Sequence, residues 1–346
     1  MPYHSFETII LPSFLAFVIT IIGTEFIMVY LKGAGIIAED RNKSKPVILP
    51  SSGGVAVAFG LIVGILSYTF GGSFLFVPVL DVEKLLSIAL SIVLITFVGF
   101  LDDVNVKSHR VASTGIKDIR QGLRQWQKPL LTFVGALPLM AINDGVEVVF
   151  VPFIGRIALG IFYPLLVLPI AIIFVSNSFN LLGGFDGLQP SMGAIAALGL
   201  VIYSFFYGNY MGLFLSSILL ASLLGFIPFN TYKAKIIPGD SFTYAVGASL
   251  VAVMVMGNAE AFGIIIFMPW ILEFFLHLRR RFKVSDLGVR QKDGTFKAPY
   301  GRKIYSLTHA VMNLKPMREK DITRYLSAVE VMFVLLGFGL KLAGLL

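Results

Sequence analysis

FYPLLVLPIAIIFVSNSFNLLGGFDGL, residues 162–188, decides how this chain folds. Its first fourteen residues, 162–175, carry no charge, and with the residues just ahead of them they reach the roughly 20 apolar residues that cross a bilayer. The run then ends in two amides, Asn177 and Asn180, two adjacent glycines and the carboxylate of Asp186. Such groups are costly in hydrocarbon. A span that ends in them has to open onto water, a ligand or a partner helix.

The whole chain repeats this pattern. Of its 346 residues, 56% are hydrophobic and 14% charged, with a mean hydropathy of +0.84. A soluble domain carries roughly 25% charged residues, so the composition predicts an integral membrane protein. Long apolar runs without two-residue alternation predict an all-α polytopic protein rather than a β-barrel. There is no cysteine, which excludes disulfides, thiol catalysis and thiolate metal sites. The N-terminal MPYHSFETII has no basic n-region and predicts no cleaved signal peptide.

Apolar windows predict about ten transmembrane helices: 9–31, 53–70, 83–101, 128–142, 156–178, 190–207, 211–228, 242–257, 260–278 and 325–346. Of the 28 Lys and Arg, 25 fall in 32–52, 102–128, 229–241 and 279–324, all connections on one side of such a bundle. The positive-inside rule makes that side cytosolic and both termini extracytosolic. The net charge of +8 therefore reflects orientation, and no nucleic-acid partner is expected. On the outer side, EVVFVPF (147–153) suggests a small strand. The chain reads as one domain, 1–346, with a cytosolic insert at 279–324 between the ninth and tenth helices and a hairpin turn at QKDGTF (291–296).

Polar chemistry concentrates on the inner rim. AEDRNKSKPVILPSSGG (38–54) reads by itself as a charged interfacial loop whose glycine pair lets helices pack closely. GFLDD (99–103) puts Asp102 and Asp103 at a helix C-terminus, where the dipole favours cations, so a metal ion or a basic side chain must compensate them. Adjacent helical residues point about 100° apart, so the two need not serve one ion. Asp240 in PGDSFTY (238–244) could be only a helix cap, and Asn177 and Asn180 could be interhelical hydrogen-bonding groups. The run HLRRRFKV (277–284) alone reads as a topology anchor or lipid contact. Glu25 and Glu273 lie within spans and read as helix-packing polar residues.

Together these groups say more. Asp102, Asp103, Asn180, Asp186 and Asp240 are oxygen donors at the inner ends of different spans. Such donors suit Mg²⁺, with Mn²⁺ as a substitute, far better than zinc. With Lys128 and the basic run they fit a Mg²⁺–diphosphate substrate. The glycines at 183, 184 and 187 offer backbone clearance but form no P-loop or dinucleotide fingerprint.

GFLDDV, NSFNLLGGFDGL and GDSFTYAVG, in this order and on these spans, resemble the polyprenyl-phosphate N-acetylhexosamine-1-phosphate transferase superfamily. The similarity runs over nearly the whole chain. EDRNKSKPVILPSSGG, FNTYKAKIIPGDSF and the long 279–324 insert are most similar to its archaeal and eukaryotic UDP-N-acetylglucosamine–dolichyl-phosphate N-acetylglucosaminephosphotransferase branch. The resemblance implies transfer of N-acetylglucosamine 1-phosphate from UDP-N-acetylglucosamine to polyprenyl (dolichyl) phosphate at a cytosolic active site. UMP is released, and the product starts lipid-linked oligosaccharide synthesis for N-glycosylation. It also implies a plasma-membrane location in a prokaryote or the endoplasmic reticulum in a eukaryote, contact with membrane lipids, and a homodimer.

Carried over by position, the resemblance makes Asp102, Asp103 and Lys128 catalytic and Asn180 and Asp240 the metal ligands. Asp186 stands at the uracil position and Asp40 in the segment that contacts the nucleotide. Lys283, Val284 and Ser285 stand where dolichol-type enzymes carry Arg-His-Arg, which leaves Arg279, Arg280 and Arg281, with Lys283, for the diphosphate. Ser51 replaces an acidic residue of that branch, and Gly183 an aspartate of bacterial relatives.

The implied chemistry is direct attack by the lipid phosphate on the β-phosphorus, with a covalent aspartyl-phosphate as the alternative. Another UDP-N-acetylhexosamine, for a cell-wall or surface polymer, is the rival donor. A transporter or lipid carrier is the rival class, but transporters gather polar groups at mid-membrane rather than on one rim.

Overall fold

The computed structural model describes residues 7–45, 47–75, 80–104, 123, 126–142, 148–151 and 155–346. Most of the basic connection 102–127 therefore lies outside the described residues. In chain order the elements begin with α1 (Glu7–Gly33), the hairpin β1 (Ile37–Asp40) and β2 (Val47–Pro50), α2 (Gly54–Leu75) and α3 (Val82–Val104). A broken run follows: α4 (Gln127–Thr132), a 3-10 turn and α5 (Leu137–Ala141). Then come the hairpin β3 (Val148–Val151) and β4 (Gly155–Ala158), and a π-helical turn leading into α6 (Leu168–Leu181). Next are α7 (Leu188–Phe206), α8 (Tyr210–Asn230), α9 (Gly239–Met256), α10 (Glu260–Ile266) and α11 (Met268–Leu278). The C-terminal part holds β5 (Val289–Arg290), β6 (Thr295–Lys297), α12 (Leu307–Leu314), β7 (Met317–Arg318) and α13 (Glu319–Leu342).

Among the described residues, eight helices are long and apolar enough to cross a membrane, and the bent pair α10–α11 makes a ninth. The chain is an integral membrane protein. Pro269, at the start of α11, cannot continue the hydrogen-bond ladder of α10, and the axis turns by 58° there. The expected fourth span, 128–142, is instead three short helical pieces interrupted around Gly135 and Pro138. Its fifteen residues, 127–141, reach about 22 Å at the helical rise, short of a hydrocarbon core of about 30 Å.

α9 is the axis of the bundle. It packs on α2, α3, α6, α7 and α8, and 83% of its apolar window is buried. Small residues at Ala245, Gly247, Ala248, Ser249 and Ala252 let neighbours approach closely, as membrane helices require. α1 and α13 lie at the outside, each 22% buried. Glu25 of α1 is exposed on that outer surface, which corrects its reading as a helix-packing residue.

The insert forms as its sequence suggests. Gln291 N–H donates to the Thr295 carbonyl at 2.7 Å, Gly294 turns the chain at φ +82°, and β7 adds a third strand to the β5–β6 hairpin. Glu273, fully buried in α11, accepts from Leu307 N at 2.7 Å and pairs with His277 Nε2 at 2.9 Å. That carboxylate pins α12 to the bundle. Phe296 of β6 meets Phe185 edge-on at 5.5 Å, which seats the insert against the loop 182–187.

Candidate active site

Two charged groups form at one end of the bundle. The first lies where α3, α4 and α9 meet. Asp102 and Asp103, on the last turn of α3, are 3% and 8% exposed. As the 100° offset allows, they take different partners. Lys128 Nζ, from the first turn of α4, lies 2.5 Å from Asp102 Oδ2 and 2.5 Å from Asp240 Oδ2. The other Asp102 oxygen accepts from Leu123 N at 2.6 Å. Asp103 faces the N-terminus of α9, accepting from Asp240 N at 2.7 Å and Ser241 N at 3.1 Å. It acts as an N-cap supplied by another helix, meeting the positive end of the α9 dipole. Asp240 is thus a first-turn residue of α9 that is itself held by a cap.

Each partner is fixed by the local fold. The Lys128 carbonyl accepts from Thr132 Oγ1 at 2.9 Å, and Asn177 Nδ2 donates to that hydroxyl at 3.1 Å. Asn177 is a packing residue that ties α4 to α6, as the sequence suggested. Gly239 adopts φ +78°, and a Cβ there would lie 2.7 Å from Asp103 Oδ1. Ser52, itself at φ +89°, bonds Ser241 Oγ at 2.8 Å. Gly53 N and Gly54 N donate to the Ile237 and Pro238 carbonyls, which clamps the first loop onto the entry to α9. Asn180 is half-buried in the last turn of α6, which packs on α9.

The second group gathers around Lys43 of the first loop. Its Nζ is 2.9 Å from Asp40, 2.7 Å from Asp186 and 2.7 Å from Glu319. Asp186 Oδ2 also accepts from Ala234 N at 2.9 Å. Burial, then the charge of Glu319, pushes the Asp186 carboxyl up to about 6, against the hydrogen bonds from Lys43 and Ala234. Burial alone would lower Lys43, but hydrogen bonds to Asp186, Glu319 and Asp40 outweigh it and hold its pKa above that of an ordinary lysine. Oxygens of Asp40, Asp186 and Glu319 lie within 4.8 Å of one another, close enough to share a metal. The Lys43 ammonium already stands among them, so this group reads as an ion-pair cluster. Asp240 and Asn180 stand on α9 and α6, which pack on each other, and offer oxygen donors of the kind a hard metal takes, and the Lys128 ammonium already contacts Asp240.

Residues 234–240 connect the groups, from Ala234 at Asp186 to Asp240 at Lys128. Six residue steps at 3.3–3.6 Å keep the Cα atoms of Ala234 and Asp240 within about 22 Å of one another.

The sequence-predicted residues divide accordingly. Asp102, Asp103, Lys128 and Asp240 come together, as do Asp40 and Asp186. Arg279, Arg280, Arg281 and Lys283 are exposed, and among the described residues no ion pair joins them to either group. The Arg279 and Arg280 guanidiniums lie 5.7 and 5.2 Å from the Tyr305 ring of the insert. The glycine clearance is also partly taken by the insert. Gly184 sits at φ +83°, where an added Cβ would lie 2.8 Å from Asp286 Oδ2.

Three residues escaped the sequence reading: Lys43, Glu319 and Glu330. The first two looked like ordinary rim charges. Glu330 is fully buried within α13, and neither carboxylate oxygen has a hydrogen-bond partner among the described residues.

A half-buried lysine held between two aspartates, where α3, α4 and α9 meet, forms a charged centre at one end of a membrane-embedded helical bundle. The chain belongs to glycosyl transferase family 4, whose family model matches residues 85–258, the stretch holding Asp102, Asp103, Lys128, Asn180, Asp186 and Asp240. It is 30% identical over 330 residues to a protein of Saccharolobus solfataricus provisionally named UDP-N-acetylglucosamine–dolichyl-phosphate N-acetylglucosaminephosphotransferase, covering 95% of both chains. A Sulfolobus acidocaldarius protein of the same provisional name is 31% identical, covering 95% of this chain and 94% of its own. A phospho-N-acetylmuramoyl-pentapeptide-transferase of Clostridium botulinum is 30% identical over 190 residues, 53% of this chain and 55% of its own.

Proposed function

We propose that this enzyme transfers N-acetylglucosamine 1-phosphate from UDP-N-acetylglucosamine to a polyprenyl (dolichyl) phosphate, releasing UMP. The observation that carries the reading is the Asp102–Lys128–Asp240 triplet. It places one cation, braced by two carboxylates, at the membrane rim where an anionic lipid and an anionic nucleotide meet. The full-length relatives named for this reaction support the same donor and acceptor. The alternative donor, another N-acetylhexosamine, rests on relatives of 28–30% identity that match 53–81% of the chain, against 95% for those named for the dolichyl-phosphate reaction.

An oxygen of the lipid phosphate attacks the β-phosphorus. The bond from that phosphorus to the oxygen bridging the two phosphates breaks, and UMP leaves with the electron pair. Lys128 neutralises charge that develops on the phosphoryl oxygens, an effect worth about 10²–10³ in rate for a single preorganised donor. Asp102 and Asp240 hold that ammonium in place, and Asp103 fixes the end of α9 that carries Asp240. Asn180 and Asp240 would hold Mg²⁺, which supplies charge neutralisation on the diphosphate when bound. Both oxygens of Asp103 and both of Asp102 are already engaged. That engagement favours direct attack over an aspartyl-phosphate. Asp186 has a role at the uracil: Oδ2 is taken by Lys43 and Ala234, which leaves Oδ1 to accept from the base.

The excess of Lys and Arg in the connections at this rim supports a cytosolic site. The test is direct. Purified protein, Mg²⁺, dolichyl phosphate and a panel of UDP-N-acetylhexosamines are combined, and UMP and lipid-linked sugar are followed. Product with UDP-N-acetylglucosamine is expected, and no product with any donor would refute the proposal.

A further inference from the structure

The loop 182–187 between α6 and α7 carries Asp186, yet little of what holds it comes from those helices. Its strongest restraints come from the first turns of α13, more than 130 residues away. Glu319 Oε1 accepts from Asp186 N at 3.1 Å, and Thr323 Oγ1 donates to the Asp186 carbonyl at 2.9 Å. Both backbone groups of that one residue are thus gripped by neighbouring turns of one helix. Glu319 also reaches the first loop. Oε1 accepts from Asn42 Nδ2 at 3.2 Å, and Oε2 lies 2.7 Å from Lys43 Nζ. Asn42 Nδ2 in turn donates to the Gly184 carbonyl. One carboxylate, 3% exposed, therefore ties three segments distant in sequence.

We propose that Glu319, assisted by Thr323, is the positioning residue of the donor site: it sets the Asp186 loop and Lys43 in the geometry that recognises the nucleotide base. The inference rests on the reading that Asp186 meets the base. Glu319 touches no substrate in this scheme. It leaves Asp186 Oδ1 turned to the ligand because Oδ2, N and O are all committed elsewhere. Its charge has a second consequence. The groups facing Asp186 are Lys43 and Asp40 from the first loop, Glu319 from α13, Tyr232 beside Lys43 at 5.2 Å, and Asp286 across Gly184. Of the charged ones, Glu319 repels the Asp186 carboxylate. Its removal should let Asp186 ionise at lower pH, and Lys43, freed of one partner, would push the same way.

The two substitutions separate brace from charge. Glu319→Gln keeps an oxygen that accepts from Asp186 N but loses the charge; Glu319→Ala loses both. Full-length protein in detergent is assayed for KM of each substrate, kcat, the pH dependence of kcat/KM for the donor, and UMP binding by calorimetry. Glu319→Ala is expected to raise donor KM and the UMP Kd about tenfold, a difference of about 1.4 kcal/mol. The acceptor KM and kcat stay within about twofold of wild type. Glu319→Gln is expected to move the acid limb of the donor profile to lower pH. Thr323→Val raises donor KM without moving that limb, and Lys320→Ala on the exposed side of the same turn changes neither. Parallel losses in both KM values and kcat, or an unmoved acid limb in Glu319→Gln, would overturn the proposal. Asp186→Asn separates the two failures. If it raises donor KM while Glu319→Ala does not, only the positioning role falls. If it leaves donor KM unchanged, the base-recognition reading falls, and the positioning role with it.

Discussion

Replacing Lys128 with methionine tests the centre of the site through stability as well as rate. The two carboxylate oxygens that contact its ammonium each lie 2.5 Å away, so they are at most 5.0 Å from one another. Without the lysine, two negative charges face each other across that gap. At an effective dielectric of about 20, suited to a lysine whose side chain is 21% exposed, their repulsion is about 3 kcal/mol. Lys128→Met should therefore lower the thermal midpoint of the detergent-solubilised protein by roughly 5 °C or more at pH 8 in EDTA. Adding Asp102→Asn removes one of the charges, so the double variant should regain most of the loss. Neither variant should show transfer above about 1% of wild type, given the value of one preorganised charge in phosphoryl transfer. A single variant as stable as wild type, with no gain on adding Asp102→Asn, would refute the shared-lysine arrangement.

The pH dependence of donor use follows from Asp186. Its carboxyl is raised to about 6, and the ionised form accepts more strongly from a base N–H than the protonated one, so kcat/KM for the UDP-sugar should fall as pH drops through about 6. A profile flat from pH 5 to 8, in buffers that leave the protein folded, would contradict this. Gly239→Ala forces a side chain into a left-handed backbone against Asp103. It should cost about 1–3 kcal/mol, seen as lower yield and a lower melting temperature, and an unchanged protein would mean that the α9 entry is slack. Glu330→Leu removes a buried carboxylate that has no hydrogen-bond partner among the described residues. Removing a cost of about 1–3 kcal/mol should raise the melting temperature, whereas a fall would reveal an interaction that this residue maintains.

Much of the architecture was legible because apolar runs in a bilayer leave few alternatives. The runs at 9–31, 83–101 and 190–207 became α1, α3 and α7, lengthened by a few residues where polar groups extend the helices past the hydrocarbon. The 128–142 run failed as a single helix because Gly135 and Pro138 break it. Hydropathy averages over such breaks. At the site, the helical offset between Asp102 and Asp103 left room for separate partners, and the structure provides a lysine for one and a helix N-terminus for the other. The Lys43–Glu319 pair was not legible. Its members are 276 positions apart, and each sits in a charged stretch where a solvated residue is the ordinary case. Glu25 was misread, and Glu330 passed over, for a related reason. Both are single carboxylates inside apolar helices, and only packing tells which one faces outward and which one is enclosed.

The central claim is that the phosphate next to the sugar moves with it. Purified protein is given UDP-N-acetylglucosamine labelled in its β-phosphate, together with dolichyl phosphate and Mg²⁺. All transferred label is predicted in the organic phase as a lipid diphosphate sugar, with unlabelled UMP released in equal amount. Labelled UDP remaining in water while sugar enters the lipid, or no lipid-linked label at all, would contradict the account.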